Sequence, residues 1–316
     1  MFSAVVFAYS EVGQRCLQVL LDHGVRVPLV FTHEDQAGEQ RWFGSVGDLA
    51  RAHGLRTVTP AQPADPPWLE AVRDAAPDYL LAFYYRSMLP PQLLALPRWG
   101  ALNMHGSLLP HYRGRAPVNW AIANGETRTG ATLHYMVARP DAGPIVAQEA
   151  VTIGPNDHAL AVSMAVAAAA ARVLTAALPG MASGPPAARP MDLAAGSYFG
   201  GRRPEDGRIQ LDWPGLRVHA MIRAVAPPFP GAFVQVQGRR VGFTSSRTNG
   251  EAARHPAQAP CLYAADGQLY MDCRDGVRLL LGSVLIDGTV VAAPEFQERF
   301  GTQPWRFNFT AQDQGT

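Results

Sequence analysis

Phe2–Phe31 reads FSAVVFAYSEVGQRCLQVLLDHGVRVPLVF. Phe2–Ala8 is an apolar run of strand length, the pattern of a strand covered on both faces. Ser10 stands where it can cap a helix. The apolar positions Val12, Cys16, Val19 and Leu20 recur at helical spacing, and Gly24 ends the run. Val25–Phe31 is a second strand. Strand, helix and strand make a βαβ unit, whose crossover is right-handed and belongs to a parallel, doubly wound sheet. The first turn lacks G-x-G-x-x-G, so no dinucleotide site is inferred.

Outward from this unit the alternation continues. A helix is expected over Ser45–His53, a short strand over Thr57–Thr59 and a helix over Trp68–Ala75. An apolar strand follows over Asp78–Tyr85, then a short helix over Pro91–Leu96. Pro117–Asn124 is a helix, and Thr129–Val137 and Ile145–Ile153 are strands. Asn156 or Asp157 caps an alanine-dense helix that ends near Leu178. In the polar loop 32–42, His33, Glu34 and Asp35 are read as solvated.

Pro179–Pro190 has a linker's composition, and the joint extends to about residue 200. Beyond it the texture becomes β-rich. Strands are expected at Arg208–Trp213, Ala232–Gln237, Arg240–Thr244, Ala259–Ala264, Gln268–Cys273 and Val277–Leu281. Asp266-Gly267, Asp275-Gly276 and Asp287-Gly288 are turn signals, and one helix covers Leu216–Val225. The chain therefore divides into an α/β domain over 1–190, a small β-barrel over 201–306 and a tail over 307–316.

The chemistry concentrates in LNMHGSLLPHYRGRAPVNW, residues 102–120. Asn103 and His105 interrupt a strand at a spacing of two, so both face one way. A strand's carboxyl end is where α/β sheets bind ligands. A lone buried Asn or His is more often a satisfied core group. Here the pair leads into a loop stiffened by Pro110 and Pro117 and carrying Arg113 and Arg115, cationic forks for an anion. Asp141 follows in a Pro140-Asp141-Ala142-Gly143 turn, which taken alone is ordinary. Together an amide, an imidazole and a carboxylate suit acyl transfer to an amine. The imidazole takes the proton, the carboxylate orients and charges it, and the amide stabilises the oxyanion.

The segments Asn103-Met104-His105-Gly106-Ser107-Leu108-Leu109-Pro110, Tyr112–Pro117 and Asp141-Ala142-Gly143 resemble the formyltransferases that use 10-formyltetrahydrofolate. Within that family they are most similar to the formyltransferase domains of bifunctional polymyxin-resistance proteins, which formylate UDP-4-amino-4-deoxy-L-arabinose in lipid A modification. Further likeness runs through Phe7–Tyr9, Phe31–His33, Gly44–Val46, Phe83–Arg86, Gly201–Arg203 and Pro230–Phe233. The resemblance implies a Rossmann-like catalytic domain followed by an OB-like barrel. It implies Asn103, His105 and Asp141 as catalytic residues. Ser87, Met88 and Leu89 would cradle the pterin through their backbone, with Arg115, Val137, Ala138, Arg139 and Pro140 as further folate contacts. Tyr9, Arg202 and Arg203 would lie near the sugar nucleotide, and no metal is needed. The decarboxylase half of the bifunctional relatives has no counterpart in this sequence. Methionyl-tRNA formyltransferase remains an alternative, although Gly106 stands where those enzymes usually carry Pro. A formyltransferase for another amino-sugar nucleotide remains one too, as does a non-catalytic folate or nucleotide sensor.

Composition sets the outer bounds. The chain has 316 residues, is 47% apolar and carries a formal charge of +1. That suffices for a substantial core and lacks the clustered basic excess of a nucleic-acid footprint. Lysine is absent, so all 27 basic side chains apart from histidine are arginines. Cys16, Cys261 and Cys273 form neither a zinc pattern nor a disulfide framework. No signal peptide and no apolar run of membrane-spanning length is read, so a cytoplasmic protein is expected. No heptad repeat marks an interface, which leaves a homo-oligomer open.

Overall fold

The computed structural model describes residues 2–34, 41–255 and 259–307; Asp35 and the tail beyond Phe307 lie outside them. The chain forms two compact units. The first takes the chain up to Pro117, Arg128–Thr152 and Ser163–Gly201. The second takes Val118–Thr127, Ile153–Val162 and the chain from Arg202 on.

The first unit is built on β1 (Ala4–Ala8), β2 (Val30–Phe31), β3 (Thr57–Val58), β4 (Tyr79–Phe83), β5 (Ala101–His105), β6 (Arg113–Gly114), β7 (Arg128–Tyr135), β8 (Ile145–Thr152) and β9 (Tyr198–Phe199). Its main sheet runs β3-β2-β1-β4-β5-β7-β8, and β6 pairs with β9. The first five strands of that order are parallel, while β7 runs antiparallel to both its neighbours, β5 and β8. Every residue of β1 and β4 is buried, as continuous apolar runs in a covered parallel sheet require. The order reverses between β1 and β4, the kind of switch point beyond whose strand carboxyl ends α/β sheets bind ligands.

The helices are α1 (Ser10–Asp22), α2 (Val46–Ala52), α3 (Pro66–Ala75), α4 (Pro91–Leu94), α5 (Pro117–Ala123) and α6 (Ala159–Ala182). α1 buries Val12, Cys16, Leu17 and Leu20. Ser45 caps α2 by accepting the Asp48 amide at 3.0 Å.

Several expectations are corrected. Ser10 does not cap α1: it is the first helical residue, with φ +64°, and Tyr9 holds the cap position without a side-chain bond. The second strand keeps only Val30–Phe31. Ala4 bonds to Arg26 and Val6 to Leu29, so the chain bulges at Val27-Pro28, where proline has no amide to pair. The side chains offered as caps for α6 are engaged elsewhere, Asp157 with the Gly154 amide and Asn156 with Thr248. The linker begins later than expected, because α6 continues through Pro179 to Ala182. α6 also meets the length and hydropathy of a membrane span, against the expectation that no apolar run does. Alanine drives that hydropathy, and Val162, Val166, Val173 and Leu174 are buried core positions.

The second unit carries α7 (Gly215–Val225), β10 (Ala232–Val236), β11 (Arg239–Phe243), β12 (Ser246–Arg247), β13 (Cys261–Ala265), β14 (Gln268–Asp272), β15 (Arg278–Leu281), β16 (Val284–Ile286), β17 (Thr289–Val291), α8 (Ala293–Phe300) and β18 (Trp305–Arg306). Hydrogen bonding sorts these strands into two antiparallel sheets, β10-β11-β16-β17 and β12-β15-β14-β13-β18. Asp266-Gly267 and Asp287-Gly288 turn two of the hairpins, each with both residues at positive φ. Arg208–Trp213 is not a strand. Only Arg208 bridges to Phe233, and the Trp213 amide turns back to Gln210 just before Pro214.

Candidate active site

Asn103 and His105 emerge on one face of β5, and β7 runs antiparallel beside them. The register sets His134 opposite Asn103 and Thr132 opposite His105. Thr132 locks the turn that follows: its hydroxyl donates to the Ser107 carbonyl at 2.6 Å and accepts from Gln148 at 2.7 Å.

His105 is buried, and its Nε2–H donates to the Tyr112 carbonyl at 2.8 Å. A carbonyl can only accept, so this partner assigns the proton to Nε2. Nδ1 is left facing Asp141 Oδ1 at 3.6 Å. His134 is 1% exposed and donates from Nδ1 to the Tyr135 carbonyl at 2.8 Å. Its Nε2 accepts from Asn103 Nδ2 at 3.1 Å and lies 3.6 Å from Asp141 Oδ1. The Asn103 amide also reaches Asp141 Oδ1 at a long 3.4 Å, and the Gly114 amide donates to Asp141 Oδ2 at 2.8 Å. Asp141 is thus a hub, with Asn103, His105 and His134 around one oxygen and a backbone amide on the other.

Burial pushes the Asp141 carboxyl upward, but His105, His134 and the Gly114 amide outweigh it and hold the group well below the usual carboxylate range. Burial is the largest influence on His105 and carries its pKa below the ordinary imidazole value. Asp141 and the Tyr112 carbonyl push the other way, as expected of Asp141, without overcoming burial. The imidazole is therefore neutral at neutral pH and able to accept a proton.

Strain marks the same region. Ser10, Tyr84, Tyr112, Ala116 and Asp141 all sit at positive φ. Of these, Tyr112 supplies the carbonyl that His105 meets and Asp141 faces its ring, and non-glycine residues in that conformation gather at functional sites. Gly143 is required by close approach, since a Cβ there would stand 1.9 Å from the Tyr135 carbonyl oxygen. Gly143→Ala is expected to shift the Asp141 loop and lower melting temperature and kcat together; thermal melts beside initial rates check this.

Ser87 is half-buried, Met88 is 57% exposed, and Leu89 is buried in an apolar cluster with Val5, Phe7 and Leu80. The Leu89 side chain therefore belongs to the core, which leaves only its backbone for a ligand. Val137 is 41% exposed; Ala138, Arg139 and Arg115 are exposed and Pro140 is half-buried. Tyr9 is buried with the Arg86 guanidinium 4.3 Å over its ring and Phe43 at its edge. His33 is not simply solvated. It stacks on Tyr85 at 4.1 Å and accepts the Arg86 amide at 3.1 Å, whereas Glu34 is exposed. Arg202 and Arg203 belong to the second unit, where Arg202 lies 4.3 Å over Trp120. His134 was not singled out from the sequence, because its place depends on the β5–β7 register.

A Rossmann-like sheet thus gathers a half-buried amide and a buried imidazole at the end of β5 around the half-buried carboxylate of the Asp141 turn. The family profile described as "Formyl transferase" matches residues 4–178, and "Formyl transferase, C-terminal domain" matches residues 202–300. The chain belongs to the formyl transferase family and is a formyltransferase enzyme. Among similar solved structures is an N-formyltransferase from Helicobacter canadensis in complex with folinic acid and dTDP-3-aminofucose. It is 16% identical, with 89% of this chain and 99% of that chain covered and a TM-score of 0.71. WlaRD, a sugar 3N-formyl transferase solved with dTDP and 5-N-formyl-THF, is 16% identical, with 89% and 97% covered and a TM-score of 0.70. HypX from Aquifex aeolicus, in complex with tetrahydrofolic acid, is 19% identical, with 90% and 44% covered and a TM-score of 0.61. At these identities the likeness is one of fold.

Proposed function

We propose that this enzyme transfers a formyl group from 10-formyltetrahydrofolate to the amine of a UDP-linked amino sugar, specifically UDP-4-amino-4-deoxy-L-arabinose, in lipid A modification. The observation that carries the reading is the Asp141-centred cluster with a neutral, buried His105 in a member of this family. The neutral amine attacks the formyl carbon and the C=O pair moves onto oxygen. His105 takes the amine's proton at Nδ1, where Asp141 meets the new charge. Collapse of the tetrahedral centre expels the folate N10, to which a proton returns. Asn103 gives up its long bond to Asp141 and donates that N–H to the oxyanion; one such donor is worth roughly 10²–10³ in rate.

On this reading the pterin packs against the Ser87–Leu89 backbone, with Met88, Arg115, Val137, Ala138, Arg139 and Pro140 as further folate contacts. Tyr9 is proposed as a contact for the sugar nucleotide. In this reading 1–190 is the catalytic domain and 201–306 an OB-like accessory barrel, acting in the cytoplasm. Gly106 and the near-neutral charge favour a sugar acceptor over initiator methionyl-tRNA. A second reading, a different amino-sugar nucleotide, is favoured by the dTDP-3-aminofucose held by the Helicobacter canadensis enzyme.

The test is release of tetrahydrofolate with UDP-4-amino-4-deoxy-L-arabinose, dTDP-linked 3-amino sugars and initiator methionyl-tRNA as separate acceptors. Turnover of the UDP sugar alone is expected. Turnover of a dTDP sugar alone moves the assignment to the second reading. Turnover of the tRNA alone, or of none, sinks the amino-sugar acceptor.

A further inference from the structure

Ser197 falls in the stretch whose composition reads as a joint, yet it grips the loop that completes the His105 site. β9 lies parallel to β6, with Arg113 opposite Tyr198 and Gly114 opposite Phe199. The Arg113 amide donates to the Ser197 carbonyl at 3.0 Å, and the Arg115 amide to the Phe199 carbonyl at 3.0 Å. The Ser197 amide in turn donates to the Pro110 carbonyl at 3.3 Å. The Ser197 hydroxyl oxygen accepts the Tyr112 amide at 2.9 Å, and the rings of Phe199 and Tyr112 stack at 5.1 Å.

Two of these bonds control the carbonyl that meets His105. The Tyr112 C=O and the Arg113 N–H belong to one planar trans peptide group, so they point opposite ways. The C=O accepts from His105 Nε2 at 2.8 Å, and the N–H donates to the Ser197 carbonyl. Turning that plane would break both bonds at once. Tyr112 stands at φ +56°, in the left-handed region. A non-glycine residue keeps that conformation only where its surroundings over-determine it. Ser197 does so by binding both its own amide and the amide that follows it.

The two edges of β6 thus have separate duties. The Tyr112 carbonyl and the Gly114 amide serve His105 and Asp141, the second bond at 2.8 Å. The Arg113 and Arg115 amides on the other edge are held by Ser197 and Phe199. Close approach makes this possible: a Cβ on Gly196 would stand 2.3 Å from the Pro110 carbonyl oxygen.

We propose that Ser197 is a positioning residue that holds His105 in the tautomer with its proton on Nε2, by fixing the peptide group whose carbonyl receives that proton. The inference rests on the formyl-transfer reading of the His105 site. In that reading Nδ1 must be unprotonated to take the amine's proton. With the Tyr112 carbonyl turned away, the Nε2–H would lose its acceptor. The proton would then sit on Nδ1, where Asp141 Oδ1 is the nearby acceptor, and Nδ1 could no longer accept one.

Ser197→Ala in the full chain tests this, because it removes the hydroxyl that accepts the Tyr112 amide and keeps the backbone. The tautomer is read from the imidazole nitrogen chemical shifts in long-range proton–nitrogen correlation spectra. The His105 signals are those lost in His105→Gln. The unaltered protein should show a protonated Nε2 and an unprotonated Nδ1. In Ser197→Ala the two shifts should move toward each other. With whichever amine the unaltered enzyme accepts, kcat should fall by about 10–10²-fold and KM for the folate should stay within about twofold. Ser197→Thr, which restores a hydroxyl, should return both the spectrum and the rate. Unchanged His105 shifts in Ser197→Ala would overturn the proposal, whatever the rate did. Altered shifts with an unchanged kcat would uphold the role of Ser197 and remove His105 as the proton acceptor, so the two readings fail separately.

Discussion

His105→Gln should lower kcat by about 10²–10⁴-fold, the range a positioned general acid–base supplies, while folate binding stays close to that of the unaltered enzyme. The histidine is enclosed, so the change removes a proton acceptor without opening the site to solvent. Its pKa is lowered by burial, so the acidic limb of the pH–rate profile should fall below the ordinary imidazole value near 6.5. In the glutamine variant that limb should vanish. A profile of unchanged shape at lower amplitude would mean that His105 only donates hydrogen bonds. The same shift has a consequence for stability. The fold favours neutral His105, so its contribution is present above the unfolded value near 6.5 and declines as pH falls below it.

The second large effect is expected at Asp141. Asp141→Asn keeps the shape and removes the charge that faces both histidines at 3.6 Å. A loss of about 10²–10⁴ in kcat is expected, by analogy with other orienting carboxylates beside a catalytic imidazole. The carboxyl's depressed pKa adds a pH signature. It contributes stability above the unfolded carboxylate value of about 3.9, and that contribution is lost as pH falls toward the folded value. The asparagine variant should therefore unfold along a flatter acid limb. Melting temperature followed from pH 7 to pH 3 measures this directly, and parallel curves for the two proteins would remove Asp141 as a charged hub.

Much of the frame is legible in the residues because its signals are local. Continuous apolar runs give β1 and β4, Asp-Gly pairs give two hairpins, and a spacing of two puts Asn103 and His105 on one face. The family likeness of the residues 102–120 and of Asp141-Ala142-Gly143 points to the family that the profiles match. What escapes depends on partners distant in the chain or on unusual backbone. His134 enters the cluster only through the β5–β7 register. Ser10 and Tyr84 lie at positive φ, which residue type does not announce. Pro179 reads as a helix breaker, yet the alanine-rich turns before it carry α6 onward. Arg208–Trp213 has the composition of a strand but finds a single bridge, to Phe233.

The interleaving of the two units bears on how such a chain can be rearranged. The second unit takes Val118–Thr127 and Ile153–Val162 from far upstream. Those borrowed stretches hold α7 in place: Asn119 binds the Ala224 carbonyl, the Pro155 carbonyl meets buried His219, and the Asp157 carbonyl accepts from Arg223. A gene fusion with its breakpoint at residue 201 would leave these partners on the wrong side of the join. The β-rich half is therefore not a portable cassette, and recombination that preserves it must carry along α5 and the stretch following β8.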